Sequence, residues 1–194
     1  MNHFNDGWWE PGALLEAAHA IRLSIPPDEF FCDSAYQPVR EVITTAEFAK
    51  RRPWNRDWQV RPVPRHEQFP DAQLRCGNDV RPFEVVEADR ENRRRCDEYR
   101  TARDRPGRLE HYDPDEEAKA ALDEIVRVVR LKAAKQYSPK PNLLVYVNLS
   151  TGDPTDLYAK ELAEQFGRSF LSAWLLWQSE TFRLWPNPAK IKIT

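Results

Sequence analysis

The segment Phe69-Pro70-Asp71-Ala72-Gln73-Leu74-Arg75-Cys76-Gly77-Asn78-Asp79-Val80-Arg81-Pro82-Phe83-Glu84-Val85-Val86-Glu87-Ala88 holds two short strand-like runs around a turn. Gln73 to Cys76 and Phe83 to Ala88 are the runs, and Gly77-Asn78-Asp79 between them is a turn signal, so the segment predicts a β-hairpin. Asp71 opens the first strand and Glu84 stands in the second. Side chains alternate along a strand, so Glu84 and Glu87 point to opposite faces. Only one of them can share a site with Asp71 unless a bulge intervenes.

Upstream, Pro11 to Leu23 reads as a helix, with proline suited to its first position and Leu14, Ala18 and Ile21 as its apolar stripe. Glu16 falls on the opposite side. Residues 24–58 show little periodicity; Thr45 to Arg51 is a short helix before Pro53. Trp58 to Val63 alternates weakly, as a strand. Downstream, residues 90–112 are charged and apolar-poor, fitting a solvated loop or partly helical lid. Asp113-Pro114-Asp115-Glu116 resembles a capping box and starts a helix that should run to about Gln136. Asn142 to Leu149 is apolar on both faces, the mark of a central and commonly parallel strand. Thr155 to Phe166 is a further helix, and Phe170 to Trp177 with Thr181 to Trp185 form a last strand pair. The order is α, β, β, β, α, β, α, β, β. Residues 1–194 make one domain, with a loose arm at 1–10, a core at 11–149 and a C-terminal extension at 150–194.

Composition agrees with one ordinary globular unit. The chain has 194 residues, 41% hydrophobic and 31% charged, with a formal net charge of -2. Such a balance is not that of a disordered chain. Apolar runs such as Ala173 to Trp177 are too short to span a bilayer. The start, Met1-Asn2-His3-Phe4-Asn5-Asp6, lacks the basic and then apolar pattern of a secretory signal. Three cysteines, Cys32, Cys76 and Cys96, argue against a disulfide scaffold and for a reducing, cytoplasmic setting. The global charge does not favour a dedicated nucleic-acid binder, although enzymes acting on DNA can confine positive charge to one groove.

Two carboxylates on adjacent strands can converge on one hard divalent cation, usually Mg²⁺. Such an ion lowers the pKa of bound water and stabilises charge building on a phosphodiester under attack. In this respect the chain resembles the PD-(D/E)XK nuclease superfamily, which includes many restriction endonucleases. That resemblance implies a restriction-endonuclease-like αβββαβ core: an α/β fold whose mixed central sheet is flanked by helices, here with an added C-terminal helix and strand pair. The family pattern is Pro-Asp, a hairpin, then an acidic residue, any residue and lysine. Asp71 matches the aspartate and Glu84 the acidic position. The lysine position is Val86; if Glu87 is taken as the acid, it is Asp89. The resemblance therefore implies Asp71 and Glu84 as metal ligands, with Glu87 as an alternate or accessory acid.

Some members of that superfamily carry the lysine on a neighbouring element. In the helix from Asp113, Ala118, Leu122, Ile125 and Val129 form the apolar stripe, and Lys132 falls roughly 20° from its centre at 100° per residue. An ammonium there needs a carboxylate nearby. Lys135 lies nearer the edge, and Arg127 and Arg130 on the far face.

Each signal has a plainer reading. Glu84 could face solvent, and Lys132 could snorkel its amine to water near the helix end. Arg93-Arg94-Arg95, with Arg90, Arg100, Arg103, Arg105 and Arg108, could meet phosphates, yet interleaved acids favour a salt-bridged loop. Cys76 and Cys96 with His66 or His111 lack zinc spacing. Trp174, Trp177 and Trp185 are either core or a protein interface such as a homodimer surface. Three functions follow: a Mg²⁺-dependent nuclease acting on nucleic acid through Asp71, Glu84 and Lys132; an inactive nuclease-like fold serving assembly; or an unrelated α/β domain whose carboxylates are structural, which a sheet order holding residues 71 and 84 far apart would support.

Overall fold

Asn142–Val147 is almost wholly buried, and its side chains feed two separate cores. A strand so covered needs layers on both sides, and the computed structural model supplies them. It describes residues 4, 6–51, 53–64, 67, 69–89, 98–101, 114–148, 156–177, 180–186 and 189–191. The helices are α1 (Pro11–Leu23), α2 (Pro27–Cys32), α3 (Gln37–Lys50), α4 (Pro114–Ala133) and α5 (Asp156–Phe166). The strands are β1 (Gln59–Pro62), β2 (Ala72–Cys76), β3 (Asp79–Ala88), β4 (Asn142–Val147), β5 (Ala173–Trp177), β6 (Glu180–Trp185) and β7 (Ala189–Ile191).

All seven strands join one mixed sheet in chain order. β1, β2 and β3 are antiparallel neighbours, β3, β4 and β5 run parallel, and β6 and β7 return antiparallel. The two parallel connections pass through α4 and α5. Crossovers of one hand that advance in one direction along a sheet fall on the same face. Accordingly Ile125 and Val129 of α4 and Leu162 of α5 share a core with Leu143, Val145 and Leu175. The other face is covered by α1 and α3, where Leu14, Ala18, Val42 and Phe48 pack against Phe83, Leu144 and Trp174. The fold is thus α/β, with a mixed sheet between helical layers.

Several sequence expectations need extension or correction. The short helix expected at Thr45 to Arg51 is the end of α3, which begins at Gln37 with Pro38 in its first turn. α2 and β7 were not foreseen, and β3 starts earlier than its apolar run because the hairpin ladder reaches Asp79. Gly77 takes the turn at φ +60°. The buried side of α4 is Ala121, Ile125, Val128 and Val129, while Leu122 is half-buried, so the stripe is rotated slightly from the expected one. Asp113, the charged stretch expected at 90–112 apart from residues 98–101, and His66, Cys96 and His111 lie outside the described residues.

The arm at residues 1–10 is tied down where it is described. Trp9 N donates to Val60 O at 2.8 Å and Val60 N to Trp9 O at 2.9 Å, covering the outer edge of β1. The Arg75 guanidinium lies 4.3 Å from the Trp8 ring centroid. Trp174, Trp177 and Trp185 are 1%, 5% and 5% exposed, so they are core residues and offer no aromatic dimer surface. Among the described residues no helix is long and apolar enough to cross a membrane.

Candidate functional site

The site forms where the β2–β3 ladder ends. β2 begins at Ala72, opposite Phe83, so β3 runs on from Glu84 without β2 beside it. Asp71 finishes the ladder: its N–H donates to Phe83 O at 3.0 Å, and its Oδ2 accepts from Val85 N at 2.8 Å. A side chain here does the work that another strand residue would do.

Alternation turns Glu84 and Val86 toward the α4 layer and Glu87 toward the α3 layer. Val86 packs against the α4 core, as an apolar residue should. The amine missing from that position comes from α4. Lys132 Nζ donates to Glu84 Oε2 at 2.7 Å and to Asp71 Oδ2 at 3.2 Å. The side chains of Glu84, Lys132 and Asp71 are 3%, 14% and 20% exposed, so the group is shielded rather than solvated. The snorkelling reading of Lys132 therefore fails, and residues 71 and 84 are not far apart.

Tyr137 joins from just beyond α4, its hydroxyl donating to Glu84 Oε2 at 2.7 Å. Gln136, at φ +52°, turns the chain back so that Tyr137 reaches beneath the helix end. Burial pushes the Tyr137 hydroxyl well above its ordinary range, and the bond to Glu84 adds to this, so it remains a donor. Burial pulls the Lys132 amine down, but Asp71 and Glu84 together outweigh it and hold the amine above the usual lysine value. All four donor contacts from Val85, Lys132 and Tyr137 thus fall on Asp71 Oδ2 and Glu84 Oε2. Among the described residues no donor bonds to Asp71 Oδ1 or Glu84 Oε1.

A cleft of about 790 Å³ adjoins this group, lined among others by Glu41, Arg40, Tyr99, Glu87 and Lys132. Asp71 and Glu84 are not on its wall; Lys132, which is, contacts both. Glu87 therefore faces the cleft and not the Glu84 side of the sheet. Glu41 of α3 was not anticipated. Burial, then the charge of Asp71, pushes its carboxyl up to about 7, while Gln37 Nε2 donates to its Oε1 at 2.8 Å. Finding Glu41 would have required the full length of α3. Finding Tyr137 would have required the left-handed turn at Gln136, which no local pattern announces.

The remaining basic candidates stand apart. Lys135 and Arg130 are exposed. Arg127, about half exposed, bonds the buried Glu124 on its own helix. Among the described residues, no three carboxylate, histidine or cysteine side chains are gathered into a ready cation cluster. No family model matches the chain, and no curated protein or solved structure matches it.

Proposed function

We propose that this chain is a divergent PD-(D/E)XK protein, a restriction-endonuclease-like metal-dependent phosphodiester hydrolase whose lysine is delivered by α4. The observation that carries the proposal is the meeting of Lys132 Nζ with both Asp71 and Glu84. The run α1, β1, β2, β3, α4, β4, with an antiparallel hairpin followed by a parallel crossover, supports the αβββαβ reading. The inserted α2 and α3 and everything after β4 are additions to it.

The residues fit a hard cation. Among the described residues Asp71 and Glu84 each keep one oxygen without a donor, and oxygen ligands are what Mg²⁺ or Mn²⁺ takes. These two carboxylates would hold the ion, with Glu87 and Glu41 lining the adjoining cleft. Such an ion would supply an acidified water and charge stabilisation at the phosphoryl oxygens. The protein's own part is positional. Lys132 stays protonated at neutral pH, so it acts as a donor and not as a base. Two of its three N–H groups are directed at carboxylates, which leaves the third to orient the attacking water or a phosphate oxygen. The substrate class is nucleic acid, and the setting a reducing cytoplasm.

The test is cleavage of plasmid DNA and of RNA with Mg²⁺ or Mn²⁺. Activity should require the ion and vanish in Asp71→Ala while circular dichroism shows an intact fold. Cleavage undiminished by that change would remove this site from consideration.

One observation favours a second reading, an inactive fold serving protein assembly. Lys132 already compensates both carboxylates, and among the described residues no group of three acids is gathered closely enough to hold a cation. On that reading Mn²⁺ does not bind, and the three side chains are a structural ion pair.

A further inference from the structure

We propose that Tyr137 is a positioning residue of this site, fixing the Glu84 carboxylate so that Oε2 is engaged by the protein and Oε1 would be left to hold a cation. The inference rests on the metal-dependent reading above and deepens it. A buried carboxylate on a strand can rotate about its last torsion, which is broad and roughly two-fold. Lys132 divides its amine between Glu84 at 2.7 Å and Asp71 at 3.2 Å, so it is not committed to one carboxylate. The Tyr137 hydroxyl supplies a second donor to the same oxygen at 2.7 Å, and two donors on one oxygen define which oxygen is left.

The tyrosine is itself held. Its ring stacks on Phe69, with centroids 5.3 Å apart and planes at 28°, and also meets Phe170 at 6.0 Å. Phe69 stands two residues before Asp71. One ring contact therefore links the segment that carries Asp71 to the hydroxyl that orients Glu84. Groups that orient metal ligands in this way typically change cation affinity about 10–100-fold when removed.

Tyr137→Phe keeps the ring stack and deletes only the hydroxyl. Its Mn²⁺ affinity, measured by titration calorimetry without nucleic acid, should fall roughly tenfold or more. The Mn²⁺ concentration giving half-maximal cleavage should rise in parallel, with a smaller loss of rate at saturating metal. A purely structural role would lower the melting temperature and leave the metal requirement unmoved. Phe69→Leu, which loosens the stack but keeps the hydroxyl, should shift affinity in the same direction by less. If the unaltered chain binds Mn²⁺ and Tyr137→Phe binds it equally well, the role assigned to Tyr137 is wrong and the metal reading survives. If the unaltered chain binds no Mn²⁺, both are overturned.

Discussion

Lys132 decides more at this site than either carboxylate. Its amine is shielded and bonded to two acids, one of them 3% exposed. Removing one partner of a buried pair costs about 3–5 kcal/mol, because the charge left behind has lost its compensation. Lys132→Met should therefore destabilise the fold by about that amount in urea titration. A loss under about 1 kcal/mol, the range of exposed pairs, would show that solvent compensates the acids. Glu41 gives a second expectation, with a definite sign. The native state holds its proton more tightly than the unfolded chain, whose carboxyl titrates near 4.5. Its contribution to stability is therefore full below that pH and is lost as pH climbs through about 7. Glu41→Gln cannot ionise, so relative to the unaltered protein it should gain several degrees in melting temperature between pH 5 and pH 8. A difference that stays constant across that range would contradict the burial argument.

Among the elements, the hairpin and α4 were the most legible, and the reasons are physical. Gly77-Asn78-Asp79 announces its turn through residue chemistry, and Gly77 does adopt φ +60°. A side chain added there meets nothing within 4 Å, so Gly77→Ala tests the backbone alone and should cost about 1–2 kcal/mol. Equilibrium denaturation would measure it, and a neutral result would mean the turn relaxes. The periodicity of α4 aimed Lys132 at the sheet, even though its buried stripe is centred slightly away from Leu122. α3 was mostly hidden. Its arginine, glutamate and threonines obscure the stripe of Val39, Val42 and Ala46, and Thr44 and Thr45 are buried only because their hydroxyls bond Arg40 O and Glu41 O. Glu41 was hidden along with the helix that carries it. Tyr137 depends on one left-handed residue and a long-range ring contact, neither of which a local pattern encodes.

On the scale of the whole molecule, the two cores are not of equal chain economy. The core under α4 and α5 is built from residues 88–185, whereas that under α1 and α3 takes residues 14–83 and also Leu144, Trp174 and Leu176 from β4 and β5. Trp174 sits 5.2 Å from Phe48 and 4.7 Å from Trp54, ring to ring. Trp174→Ala should cost about 3–5 kcal/mol by denaturation. It should leave the oligomeric state by light scattering unchanged, since the ring is spent inside the fold. A change of assembly with little loss of stability would restore the interface reading. The same placement bears on synthesis. A chain emerging from the ribosome shows α1, α3 and the first hairpin long before the indole that finishes their packing has been translated. Until then Phe48 and Trp54 lack the ring that closes over them, so the N-terminal core cannot finish packing before β5 has been made.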